Sequence, residues 1–457
     1  MKDVLIVVKN EATLIGLPPA DKKLIKEYLT VSNPLFEKKI ELGLANWNTP
    51  RSLQYYTTTD DSMVIPVGSL SKAIEIVNSS DSNVQISKKD IKDVRFDKQL
   101  PSFFSKVKFK ATLRDYQQEM LDATKNHSIG VIEAMTGAGK TIFALSRILH
   151  SQCPTLFLVH TLELALQTIE SFCKFSNLKR DDIGMIGNGK FELRPITIGL
   201  HQTLSKISDE KMEHINSHIS QVIGDEIHII AAETWFYTMQ KLNAKYKWGI
   251  SATPKREDGL TKVIHWATGP KIYTVDPSKL ENVLIKPTVT YIDTDYKFPL
   301  ISTNEYQDMI TDLAGDKERN DLILSYVNKA PKIASVLLCE RLCQVEYFHK
   351  KLKQSVMLTS KMNKKSRAEA MEKIRSGKKN IVISTYGLFS MGIDIPALER
   401  LYLCSPIKSE IKLRQSAGRL MRKSPGKTKA EILDFVDSKI SLLKNTAYKR
   451  KRVLSYL

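Results

Sequence analysis

The chain has 457 residues, 42% hydrophobic and 26% charged, and its 69 Lys plus Arg against 50 Asp plus Glu leave a formal net charge of +19. This composition excludes a largely disordered or collagen-like polypeptide, and at about 150 residues per domain the length suggests roughly three domains. No apolar run approaches the roughly 20 residues a membrane span needs, and "VLIVV" near the N-terminus is too short for a signal-peptide core.

Residues 1 to about 100 carry no recognisable chemical motif and are expected to form a small α+β domain. "DVLIVVKN" reads as a strand and "PPADKKLIKEYLTV" as a helix with Pro near its start. "KKIELGL", "SLQYYTTT" and "SMVIPVG" read as short strands, followed by a helix around "SLSKAIEIVNSS" and a polar linker over residues 79–106. From about residue 112, short apolar runs ("IGVIEAM", "PTLFLVH", "PITIGL", "SQVIGDEIH", "YKWGISAT") alternate with helical stretches. A second such series follows after about residue 275. Both suit parallel strands buried on two faces and joined by crossover helices. The expected fold is therefore α/β, with tandem parallel-sheet domains over 101–272 and 273–457 and the small domain over 1–100.

The five cysteines form no CxxC pair, which favours reduced thiols in a cytoplasmic protein over a disulfide framework or zinc site. Cys339 and Cys343 are expected on one helical face as buried thiols. The closing "YKRKR" falls on a predicted helix, where a solvated face is the leading reading of Lys449 to Arg452 and phosphate binding the alternative. The positive balance favours a polyanionic partner, nucleic acid or a membrane surface.

"IEAMTGAGKT" places Thr136, Gly137, Ala138, Gly139, Lys140 and Thr141 between a predicted strand and helix. Glycines let backbone N–H groups turn inward around phosphates, and the helix N-terminus adds partial positive charge. Lys140 would reach the β- and γ-phosphates of ATP, and the Thr141 hydroxyl would ligate Mg2+. Ala134 stands where the strict pattern has its first glycine, and the bland alternative is a glycine-rich turn in an ordinary α/β domain. Further on, "VIGDEIH" sets Asp225 and Glu226 at a strand end. Asp225 suits magnesium binding, and Glu226 suits positioning and deprotonating the attacking water. His228 would link this pair to a neighbouring motif. A solvated strand end with a core histidine is the plain alternative.

Further segments follow in a fixed order, and together they resemble superfamily 2 helicases. "LRDYQQEM" resembles the adenine-reading segment, with Gln117 as the base-specific contact and Arg114 or Tyr116 nearby. "VHTLELALQ" and "GLHQTL" resemble two DNA-contacting motifs, and "SATPKREDG" the coupling motif through Ser251 and Thr253. "STYGLFSMGIDIP" brings Gly392 and Asp394 towards the nucleotide, and "QSAGRLMR" offers Gln415, Arg419 and Arg422 to the γ-phosphate. The resemblance implies two RecA-like domains closing on one ATP, a monomer and 3′ to 5′ movement.

"DEIH" and a sixth motif that opens with Gln set the chain apart from DEAD-box RNA helicases. "SATPKREDG" is similar to the DNA-directed group containing RecG, XPB and the phage UvsW-type branch-migration helicases. The region around Asn46, Trp47 and Asn48 resembles the small N-terminal domain of the last type. The implied function is an ATP-dependent DNA helicase that remodels forks and four-way junctions in phage recombination, replication or repair, within the host cytoplasm. An RNA helicase and a nucleic-acid-binding scaffold with a vestigial ATP site are the competing readings.

Overall fold

The computed structural model describes residues 4–82, 84–229, 232–252, 256, 258–299, 305–392, 395 and 397–457. The N-terminal region contains β1 (Leu5–Val8), β2 (Glu11–Ile15), β3 (Thr30–Ser32), β4 (Ser52–Gln54), β5 (Thr57–Thr58), β6 (Ser62–Pro66) and β7 (Ile91–Asp93). Five of them form a sheet in the order β5-β6-β2-β1-β7, while β3 and β4 pair separately. Along β2 the buried residues are Ala12 and Leu14, the period-two pattern of a strand with one face on a core.

Two expectations for this region are corrected. In place of a strand over "KKIELGL", Pro34–Glu41 is a helix. Asn33 caps it by accepting from Leu35 N at 3.0 Å, and Pro34 at the first position removes a backbone N–H that would have no helical partner. The polar segment 79–106 is more than a linker. Its β7 pairs parallel to β1, Phe96 bridges to Ala244, and Ser220 Oγ both accepts from Lys98 N and donates to Lys98 O at 2.8 Å.

Next come β8 (Ile129–Glu133), β9 (Thr155–Val159), β10 (Ile183–Gly187), β11 (Lys190–Glu192), β12 (Ile196–Leu200), β13 (Gln221–Asp225), β14 (Tyr246–Ser251) and β15 (Lys271–Thr274). They form one sheet in the order β11-β10-β12-β9-β13-β14-β8-β15, parallel apart from the β10–β11 pair. All five residues of β9 are buried, as a two-sided parallel strand requires.

The remaining strands are β16 (Thr288–Asp293), β17 (Ser335–Cys339), β18 (Ser355–Leu358), β19 (Ile381–Thr385), β20 (Arg400–Leu403) and β21 (Glu431–Val436). They form a parallel sheet ordered β16-β21-β20-β17-β19-β18. Buried ion pairs fasten this half: Arg319 Nε donates to Asp437 Oδ1 at 2.7 Å, and Arg450 Nη2 to Asp434 Oδ1 at 2.8 Å. Two-pronged guanidinium–carboxylate geometry offsets the desolvation that such burial costs. Arg450 thus departs from the solvated face expected of "YKRKR", whereas Lys449 and Arg452 are exposed. The two cysteines are also corrected: Cys339 is buried on β17, and Cys343 is exposed on the following helix.

The chain divides into two compact units, Met1–Met135 with Gly139–Val275, and Asp276–Leu457 with Thr136–Ala138. The N-terminal region therefore shares a unit with the first large parallel sheet. Tyr55 packs edge-on against Phe236 at 4.7 Å between ring centroids and against Trp266 at 5.4 Å, and Tyr28 meets Trp266 at 5.6 Å. Both are α/β assemblies of the kind the sequence patterning predicted. Among the described residues, no helix is long and apolar enough to cross a membrane.

Candidate nucleotide site

Strand order explains why residues far apart in sequence meet. The neighbours β12, β9, β13, β14 and β8 run parallel, so their C-terminal ends share one edge of the sheet. From those ends emerge, side by side, "GLHQTL", "VHTLELALQ", the Asp225–Glu226 pair, Ser251 and the glycine-rich loop. Ligands bind at such an edge in α/β sheets because loops converge there while the strands behind stay rigid.

The loop leads directly into the helix Lys140–Ser151, whose N-cap Gly139 has φ 77°, and Gly137 has φ 94°. Both angles lie in the left-handed region where a Cβ is strained. At Gly139 space is also short: a Cβ would lie 2.3 Å from Gln117 Nε2. Gln117 is buried, accepts from Arg114 N at 3.0 Å, and donates to Gly139 O at 3.4 Å. Gln117, expected to read adenine, is therefore tied to the glycine-rich loop itself. Arg114 Nη1 donates to Tyr116 Oη at 3.0 Å.

Lys140 and Glu226 meet at 2.5 Å, with side chains 10% and 13% exposed. Glu226 has φ 49°, a left-handed conformation that costs a non-glycine residue on the order of 1 kcal/mol and is tolerated where surroundings impose it. Its other oxygen, Oε2, accepts from Ala252 N at 3.4 Å and lies 3.4 Å from His228 Nδ1. Burial pushes the Glu226 carboxyl towards its neutral form, but the Lys140 ammonium, His228 and the Ala252 N–H outweigh it and hold the group well below the usual carboxylate range.

His228 shares a 2.5 Å hydrogen bond with Ser251 Oγ. Burial lowers its pKa to about 4, against the pull of Glu226, so the ring is neutral at pH 7. Lys140, Glu226, His228 and Ser251 thus form one connected chain across the ends of three adjacent strands and the loop. Asp225, half-buried at the end of β13, and Thr141, at the first turn of the loop helix, complete the set.

A further member, Arg256, is absent from the residues selected in the sequence, although "SATPKREDG" contains it. It donates to His228 O at 2.7 Å through Nη1 and pairs with Asp258 at 2.5 Å. Its signal was the Arg-x-Asp spacing, which lets one carboxylate orient a guanidinium two residues away. Thr253 and Asp394 lie outside the described residues.

In the second unit, Gly392 ends the helix Tyr386–Gly392 after β19. Gln415 and Arg419 lie on the helix Glu410–Leu420, with Gln415 buried and Arg419 Nη2 donating to Ser390 O at 3.0 Å. Arg422 follows that helix and forms a backbone bridge with Leu284.

Two family models match the chain: "Type III restriction enzyme, res subunit" over residues 110–256 and "Helicase conserved C-terminal domain" over 305–424. A protein of Acanthamoeba polyphaga mimivirus named as an ATP-dependent RNA helicase is 28% identical over 348 residues, covering 72% of this chain and 65% of its own length. The DNA 3′-5′ translocase XPB2 of Sulfurisphaera tokodaii is 25% identical over 362 residues, covering 70% of this chain and 81% of that protein. Among solved structures, a fragment of an HsdR subunit of a type I restriction enzyme from Vibrio vulnificus superposes with TM-score 0.57 at 18% identity, covering 74% of this chain and 66% of that one. That last likeness is one of fold.

Proposed function

This chain belongs to the superfamily 2 helicases, and from that premise we propose that it is an ATP-driven DNA translocase that remodels branched DNA. The observation that carries the ATP-dependent part is the Lys140–Glu226 pair at 2.5 Å beside a loop with two left-handed glycines. A triphosphate offers the Lys140 ammonium a stronger anion than one carboxylate, so its arrival would release Glu226 to orient and deprotonate water. Thr141 and Asp225 would hold magnesium, which supplies charge neutralisation at the phosphates. Neutral His228 and Ser251 hold Glu226 in place and carry its change of partner towards Ala252 and the segment after it.

Gln117 and Arg114 are assigned to the adenine, and Thr136 to Thr141 to the phosphates. Gln415, Arg419 and Arg422 are assigned to the γ-phosphate on their QxxGRxxR spacing, and Gly392 and Asp394 to the nucleotide on the resemblance of their motif. DNA as the track rests on relatives such as the archaeal translocase, from which 3′ to 5′ polarity is also carried over.

The branched-substrate part rests on the lobe that the helix Pro34–Glu41 and the turn after it build. That helix buries none of its residues, Leu35, Ile40, Leu42 and Leu44 are exposed, and Trp47 is 84% exposed. Lys38 and Lys39 lie on the same helix, and Arg51 follows the turn, with its guanidinium over the Phe36 ring at 5.8 Å. Apolar wedges flanked by cations suit the exposed end of a base-pair stack between phosphate backbones. RNA as the track is the second reading, favoured by the mimivirus relative.

ATP hydrolysis measured with DNA or RNA strands, alongside unwinding of duplex, fork and four-way junction, tests both. DNA-stimulated turnover with preferential junction unwinding is expected. Stimulation by RNA alone would overturn the DNA assignment, and equal rates on plain duplex would overturn the branched one.

A further inference from the structure

The unit spanning Asp276–Leu457 carries a cationic pocket that the nucleotide site does not use. Its two walls are the turn before the helix Glu410–Leu420 and the outer face of the helix Ser441–Leu454. The cavity measures about 270 Å3, and Lys408, Lys449, Arg450 and Arg452 line it. The carboxylate in its wall, Glu410, already accepts from Arg414 Nε at 2.9 Å along its own helix. Lys408 lies over the ring of Tyr306, and both burial and the nearby Lys449 favour its neutral form. Cations gathered this way repel one another unless an anion joins them.

Arg450 supplies an independent observation. It is 3% exposed, and its Nε and Nη2 donate to Asp434 at 2.9 and 2.8 Å. Its remaining nitrogen, Nη1, finds no acceptor among the described residues. A buried guanidinium N–H without an acceptor is costly, and Arg450 forms part of the pocket wall. The helix Glu410–Leu420 also begins here, capped by Ser409, so its first backbone N–H groups add partial positive charge on the same side. At the rim, Tyr448 is 73% exposed one residue before Lys449, an aromatic surface beside a phosphate-sized cationic hollow.

We infer that this pocket is a nucleic-acid contact of the second unit, taking a backbone phosphate of a DNA strand while an adjoining base rests on Tyr448. The inference rests on the reading of the chain as a DNA motor and names a site for the strand it tracks. Lys408, Lys449 and Arg452 are exposed, so they can meet a strand passing over the pocket, while the buried Arg450 lies beneath them. Stacking of a base on an exposed aromatic ring next to phosphate-binding cations is the usual chemistry of single-strand grip.

The test uses the full chain and the double variant Lys449→Glu, Arg452→Glu, with binding of a fluorescent single-stranded DNA followed by polarisation across a salt series. The expected result is at least tenfold weaker binding at low salt. The plot of log affinity against log salt should also flatten by about 0.7 for each phosphate contact removed. The pair Lys449→Arg, Arg452→Lys should restore both, and Tyr448→Ala should weaken binding without changing the slope. Unchanged affinity and slope in the double glutamate variant, with its melting temperature preserved, would overturn the site. A parallel titration with pyrophosphate separates a strand from a free anion. If pyrophosphate binding is lost in the variant while DNA binding is retained, the strand assignment is wrong. Failure of the underlying reading looks different, because the wild-type chain would then neither bind the strand nor hydrolyse ATP faster in its presence, and the proposal would fall with it.

Discussion

Lys140 Nζ and Glu226 Oε1 lie 2.5 Å apart although 86 positions separate them in the chain. The cation proposed for the phosphates is thus held by the carboxylate proposed to activate water. This pairing keeps both groups charged in a largely enclosed site and makes the availability of the base depend on what occupies the loop.

Replacing Glu226 with Gln should slow ATP hydrolysis by about 10²- to 10⁴-fold while leaving nucleotide affinity equal or tighter, because Lys140 no longer has to leave a carboxylate. Lys140→Ala should instead lose nucleotide binding. Steady-state ATPase and fluorescent-ADP titration of both variants distinguish the roles. Glu226→Gln losing as much affinity as Lys140→Ala would reverse the assignment.

His228 makes stability depend on pH. Its folded-state pKa of about 4 lies below the ordinary 6.5, so between those values the unfolded chain takes up a proton that the folded chain refuses. Stability should therefore fall as pH drops from about 6.5 towards 4, by at most about 3 kcal/mol from this residue. Glu226, held below its ordinary 4.5, contributes stability that is present above that value and lost at more acid pH. Urea unfolding of the wild type and His228→Asn at intervals over this range should give a shallower decline for the variant, and parallel curves would contradict the burial argument.

Tyr55 is 5% exposed and touches both Phe236 and Trp266. Tyr55→Ala should destabilise the unit containing the first large sheet by about 3–5 kcal/mol, through lost transfer energy and the cavity left behind. A chain starting at Pro101 would expose the same aromatic faces, so melting temperature and ATPase should fall together in it. Retention of wild-type stability by either protein would show that the N-terminal region does not support this unit.

Trp47 gives the opposite expectation. With 84% of its surface exposed, Trp47→Ala should change stability by less than about 0.5 kcal/mol. Unwinding of forks and four-way junctions should nevertheless fall several-fold, while single-strand-stimulated ATPase is kept. Junction unwinding at the wild-type rate would remove the lobe from the proposed branch contact.

The sequence by itself carried the order of the motifs and most strands of the two parallel sheets, because both are written in short-range patterns. Five buried apolar residues in a row mark β9 wherever it lies in the sheet, and Gly139–Lys140–Thr141 at a strand–helix junction marks a phosphate loop. Local pattern failed where partners decide. Residues 34–41 took helical form through the Asn33 cap, and residues 91–93 became a strand because the edge of β1 was available to pair with them.

Arg450 looked like one more cation in a basic run until Asp434, sixteen residues earlier on β21, turned it inward. The tertiary structure alone also decided that β13, β14 and β8 are neighbours, and hence that Glu226, Ser251 and Lys140 converge. Strand order is a non-local choice, set by which buried faces and crossover helices pack best together. The residues in each strand encode that it will be buried, but only the assembled sheet determines beside which other strand it lies.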